Sequence, residues 1–159
     1  YHRITSIKFR ENFAKRIYDW AEENGAQITF YRWLGNTDAN YSSMMCKVVY
    51  GDRSVYFMAD VTGLAQKELA LHHLNEIPWD ADIFKVGHHG YAQQDQTLLD
   101  AISPELCVIT NSKQGAAKAV KQFDKLGLNY LNTPNGTIYA RTDGGENWYY
   151  TQDKSHQKK

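Results

Sequence analysis

Two adjacent histidines bracketed by glycines close an apolar run in Asp82-Ile83-Phe84-Lys85-Val86-Gly87-His88-His89-Gly90. The stretch Asp82 to Val86 reads as a short strand. The glycines let the backbone turn sharply and let a ligand approach closely. Imidazoles at a strand's end face the open edge of a sheet, where α/β proteins build their sites. A pair of solvated loop histidines is the bland alternative. Asp60 gives the pair a partner, because it ends a second apolar run, Val55-Tyr56-Phe57-Met58-Ala59. A helix over Leu64 to Leu74 separates the two runs. Strand–helix–strand units cross over right-handed and set their strands parallel, so Asp60 and His88-His89 are expected at one edge, within reach of one ion. A carboxylate with imidazole suits a divalent metal, zinc first, with iron or manganese as alternatives. Taken alone, Asp60 would cap the helix that follows it.

Other residues are poorer candidates. His72 and His73 fall mid-helix, where neighbours do not share a face, and are expected to be exposed. Glu68 has no partner at metal spacing. Lys118, Lys121 and Lys125 share a helical face that reads as solvated. Ser42, Ser43 and Ser112 have no base at a readable spacing, so a serine nucleophile is not supported. Cys46 and Cys107 lie inside apolar runs and are expected to be buried free thiols.

The elements that must position these residues follow from periodicity. Phe9 to Asn24 has a helical apolar period stopped by Asn24-Gly25. Ile28 to Trp33 alternates as a strand, and Gly35 to Asn40 is a polar loop. Ser43 to Tyr50 and Ser54 to Ala59 form a hairpin about Gly51-Asp52. The second of these strands is so apolar that both faces are expected to be buried. Helices over Gln96 to Ile102 and Ala116 to Leu126, with Gly127 as stop, flank a strand at Leu106 to Thr110. Short strands at Asn129 to Asn132, Thr137 to Arg141 and Trp148 to Thr151 complete an α/β fold, a mixed sheet covered by helices. Residues 1–152 are read as one domain, and 153–159, with His156, as a loose solvated tail.

Composition narrows the function classes. The chain has 159 residues, 42% hydrophobic and 23% charged, which suits one globular domain rather than a disordered segment. Eighteen basic and eighteen acidic side chains cancel, so charge gives no support to nucleic-acid binding. The eleven tyrosines are read first as half-buried strand positions. No stretch approaches the roughly 18 apolar residues of a membrane helix. The chain opens on Tyr1 rather than Met, and is expected to be a piece of a longer protein.

In order, these motifs resemble the metallo-β-lactamase superfamily. The resemblance runs from Asn40-Tyr41-Ser42-Ser43 through Tyr50-Gly51-Asp52, Asp60, Glu68-Leu69 and Phe84 to Gly90, then Ser103-Pro104, and ends with Gly136-Thr137-Ile138-Tyr139-Ala140-Arg141-Thr142-Asp143-Gly144. It is closest to the hydrolase domain of bacterial DNA-uptake competence proteins, and is similar to phosphorylcholine esterases. The resemblance implies the second half of a four-layered αββα sandwich. It implies that Asp60 bridges two zinc ions, that His89 is the last metal ligand, and that His88 stands beside substrate as a phosphate contact or proton donor. The implied reaction is attack by metal-activated hydroxide on an ester, often a phosphodiester.

Three departures qualify it. Ala59 precedes Asp60 where the family usually has Gly, and Tyr91 stands where Ser usually follows His-His-Gly. The family's His-x-His-x-Asp-His run has no counterpart in this chain. The expectation is a fragment that binds metal weakly and is inactive alone, whose partner is the missing N-terminal half of the same domain, with a homodimer through the uncovered face as a second possibility. The alternative is a non-catalytic interaction module built on a half-fold.

Overall fold

The alternating run Ala26–Arg32 and the apolar run Met44–Tyr50 fold as antiparallel strands, and the short apolar runs after Phe57 as parallel ones. The computed structural model describes residues 7–33, 38–145 and 148–153. Helix α1 (Ile7–Glu23) precedes β1 (Ala26–Arg32), β2 (Met44–Tyr50) and β3 (Arg53–Phe57). Then α2 (Gly63–His73), β4 (Ile83–Lys85), α3 (Gln96–Ile102), β5 (Leu106–Ile109), α4 (Ala117–Leu126) and β6 (Tyr130–Asn132) alternate. Strands β7 (Thr137–Thr142) and β8 (Trp148–Asp153) pair as a separate antiparallel hairpin. The six-stranded sheet has the order β1-β2-β3-β4-β5-β6, antiparallel from β1 to β3 and parallel from β3 to β6. The protein is therefore a mixed α/β fold.

Tyr56, Phe84 and Cys107 are register neighbours across β3, β4 and β5. They share one buried core with Ala65 and Leu69 of α2, Leu98 and Ile102 of α3, and Ala119 and Phe123 of α4. Burying each of the larger side chains contributes about 1.5–3 kcal/mol, which fixes the helical layer to this face. The other face carries Val48, Val55, Ile83 and Leu106, again register neighbours, with Val108 beside Lys85. Tyr18 of α1 meets Phe30 of β1 edge-on there, with ring centroids 6.2 Å apart. The β7–β8 hairpin covers another part through Ile138 and Ala140, leaving a groove of about 420 Å³ above Val55, Phe57 and Lys85. Gly51, at φ 57°, makes the β2–β3 turn, and a side chain there would collide with Gly144 of the β7–β8 turn. Glycine is required on both counts.

Two sequence expectations are corrected. Strand β3 is buried on one face only: Tyr56 is fully covered, but Phe57 is 43% exposed. Helices α2, α3 and α4 pack on one face, and α1 and the hairpin cover the other incompletely. His73 is also not an exposed mid-helix residue. It lies in the last turn of α2, where its ring packs tilted against that of Trp33 with centroids 4.7 Å apart and its Nδ1 lies 2.6 Å from Glu76 Oε2. His72 is exposed, 3.4 Å from Glu68. Cys46 is half-buried and Cys107 fully buried, both free. Among the described residues no helix is long and apolar enough to cross a membrane. His156 and the rest of the expected tail beyond Asp153, and the loop residues 35–37, lie outside the described residues.

Candidate functional site

Three parallel strands, β3, β4 and β5, end side by side, and each delivers a polar residue just past its last pair. From β3 the chain continues through Met58 and Ala59 to Asp60; from β4 through Val86 and Gly87 to His88 and His89; from β5 directly to Thr110. The first two extensions are stitched together. Met58 N–H donates to Lys85 O at 3.2 Å and His88 N–H to Ala59 O at 3.0 Å. Asp60 Oδ1 consequently lies 3.0 Å from His89 Nε2, with both side chains about half exposed. Thr110 closes the group, its Oγ1 2.8 Å and its carbonyl oxygen 3.1 Å from His89 Nδ1.

Asp60 is not the helix cap. Thr62 caps α2, its Oγ1 accepting from Ala65 N–H at 3.3 Å. The carboxylate is thus free to face the histidine. His88 goes elsewhere: its ring stacks on Tyr91 with centroids 5.9 Å apart, and its imidazole has no hydrogen-bond or ion-pair partner among the described residues. The structure brings together Asp60 and His89, and separates the two histidines that are neighbours in sequence.

That separation is a backbone effect. His88 and His89 have φ of 44° and 55°, and Ala59, before Asp60, has φ of 50°. Left-handed backbone costs an L-residue about 1–2 kcal/mol. Among the described non-glycine residues only Ser103, past the end of α3, shares it. Strain gathered at one place is a mark of functional sites. Glycine at position 59 would meet no such penalty.

The electrostatics of the ring are directional. The Asp60 carboxylate only accepts, so His89 meets it in one of two ways: through an Nε2 proton, with Nδ1 accepting from the Thr110 hydroxyl, or, with the Nδ1 proton on the Thr110 carbonyl, through a cation held between Nε2 and the carboxylate. The donor types are right for zinc, but their number is not. A catalytic zinc takes about three protein ligands, and no cluster of three or more His, Cys, Asp or Glu side chains able to hold an ion occurs among the described residues. Asp60 and His89 do not by themselves make a metal centre. Nearby, Lys85 extends into the groove, where desolvation holds its ammonium below the usual lysine range and the charge of Asp60 partly offsets this.

No family model, curated protein or solved structure matches the chain. The chemistry of the site is therefore read from its own atoms.

Sequence reasoning missed two sets of residues. Thr110 follows an apolar strand just as Asp60 and the histidines do, so the strand-end signal was present. Gln66, Gln94 and Gln122, which surround the Gly87–Gly90 turn, carried none: a glutamine in a polar loop or helix reads as solvated.

Proposed function

We propose that this chain is the C-terminal part of a metal-dependent hydrolase of the metallo-β-lactamase type, acting on an ester, with phosphodiesters as the first substrate class. The single observation that carries the reading is the 3.0 Å approach of Asp60 Oδ1 to His89 Nε2 at the open end of parallel strands. A carboxylate and an imidazole, aligned by strained turns and backed by Thr110, supply two of the ligands such a centre needs. In this reading the remaining ligands come from an N-terminal half of the same domain, which would also cover the sheet face where Phe30 and Phe57 are 41% and 43% exposed. His88, unpartnered beside Tyr91, is the proposed substrate contact or proton donor. Two zinc ions, or manganese or iron in their place, would belong to the assembled domain.

The ligand count favours a second reading, a non-catalytic interaction module whose Asp60–His89 pair is structural. One experiment separates the two. The full-length parent is assayed for metal content and for hydrolysis of bis-p-nitrophenyl phosphate, alone and as Asp60→Ala and His89→Ala. The hydrolase reading expects turnover that falls by orders of magnitude in both variants, with metal lost, and no turnover by the isolated chain with added zinc or manganese. A parent whose metal content and turnover survive both substitutions would overturn it.

A further inference from the structure

Three glutamines converge behind the histidine turn. Gln66 (α2) and Gln94 (the loop before α3) are 1% and 5% exposed, which for uncharged amides demands that nearly every polar atom be paired. Gln94 Oε1 accepts from Gly87 N–H at 2.8 Å and from Gln66 Nε2 at 3.0 Å. Gln94 Nε2 donates to Ala92 O at 3.1 Å and to Gly87 O at 3.4 Å. Gln66 Nε2 donates also to Val61 O at 3.2 Å, and its Oε1 accepts from Asp95 N–H at 2.9 Å. From α4, Gln122 grips the main chain of Gln94 twice, accepting from its N–H at 2.8 Å and donating to its carbonyl at 2.9 Å.

The targets of these bonds are selective. Val61 is the residue after Asp60, and Gly87 the residue before His88. Gly87 also lacks a side chain for a reason other than ligand approach: a Cβ there would collide with the Gln66 amide and with Val61 O. We infer that Gln66 and Gln94 are positioning residues, a buried amide clamp that holds the Asp60 turn and the His88-His89 turn in register so that His89 meets Asp60. The left-handed conformations of His88 and His89 lie between the clamped Gly87 and Ala92, and that of Ala59 lies two residues before the clamped Val61; strain of that size relaxes unless its surroundings hold it. Gln122 extends the hold to α4, so the helical layer fixes the site from behind while its open side stays free. The inference rests on the Asp60–His89 pair; that this pair belongs to a metal centre is the separate reading above.

The test uses the whole chain. Gln94→Ala and Gln94→Glu are compared with wild type and with Gln93→Ala, an exposed neighbour. NMR reads the intraresidue HN–Hα contacts that report left-handed φ at His88 and His89, and Zn²⁺ titration reads affinity. The clamp expects both Gln94 variants to stay folded by circular dichroism, to lose the left-handed signature at the two histidines, and to weaken Zn²⁺ binding by roughly ten- to a hundredfold, as loss of outer supports commonly does. Gln93→Ala should change neither. A retained signature in both folded Gln94 variants overturns the clamp. A signature lost in both folded variants supports the clamp even where wild type binds no Zn²⁺, because the metal reading draws its remaining ligands from outside this chain and is decided by the parent's metal content and turnover. Should both variants fail to fold, amide exchange in wild type decides. Gly87 N–H protected like the sheet amides supports the clamp, and fast exchange overturns it.

Discussion

Thr110 Oγ1 lies 2.8 Å from His89 Nδ1, on the opposite side of the ring from Asp60. The hydroxyl and the main-chain carbonyl of the same residue both address that nitrogen, so the ring's orientation depends on β5 as well as on β4. Thr110→Val keeps the carbonyl and removes the hydroxyl. Its expected cost in urea unfolding is about 1 kcal/mol or less, the net value of one partly exposed hydrogen bond. In the metal-loaded parent the affinity loss should approach tenfold, and Thr110→Ser should restore it. Equal loss in the Val and Ser variants would place the effect in packing instead.

Ala59 offers the reverse experiment. Replacing it by glycine relieves left-handed strain of about 1–2 kcal/mol. Against this stands roughly 0.5–1 kcal/mol of added chain entropy in the unfolded state. Ala59→Gly is therefore expected to stabilise the protein by roughly 0.5–1 kcal/mol, read as a higher urea midpoint at unchanged m-value. A lower midpoint would mean that φ at Ala59 is not held at 50° in solution.

The order of elements and the meeting of Asp60 with the histidine turn were legible because both follow from local rules. Apolar period names each strand and helix, and a right-handed crossover sets which strand ends are neighbours. The division of labour between His88 and His89 was not legible, since two left-handed residues in succession decide where each ring goes, and no residue type announces that conformation. The exposed face of β3 was misread because an apolar side chain looks the same in sequence whether or not anything covers it. Gln94 illustrates the remaining gap. Its amide is saturated only through Gly87, Ala92 and Gln66, contacts that the tertiary fold creates.

Cys107 predicts an alkaline limit to stability. Burial among apolar neighbours pushes its thiol from 9.0 up to about 12. The folded value is the higher one, so the unfolded chain releases this proton first. The associated stability is complete below about pH 9 and is lost as pH rises toward about 12. Between about pH 9 and about pH 11 the loss should be on the order of 2–3 kcal/mol. Cys107→Ala lowers stability at neutral pH through the cavity it leaves, but should flatten this decline. Urea unfolding across the pH range checks it, and parallel declines in the two proteins would refute the assignment to Cys107.

The incompletely covered sheet face predicts association. Phe57 and Phe30 are 43% and 41% exposed on the same face, one strand apart across β2, and Tyr50 on that face is 39% exposed. Contiguous apolar surface of this kind drives self-association unless another chain segment covers it. The isolated protein should show a weight-average mass that rises with concentration in light scattering. Phe57→Lys places a charge in the middle of the patch, away from the buried core that Tyr56 joins, and should return the particle to a monomer with little change in unfolding midpoint. Exposed Leu71 on α2 provides the control. Leu71→Lys lies outside the patch, and should leave association intact. A wild type that stays monomeric over a wide concentration range would show that the face is stable without cover. Association abolished equally by Leu71→Lys and Phe57→Lys would move the contact to the helical side of the sheet.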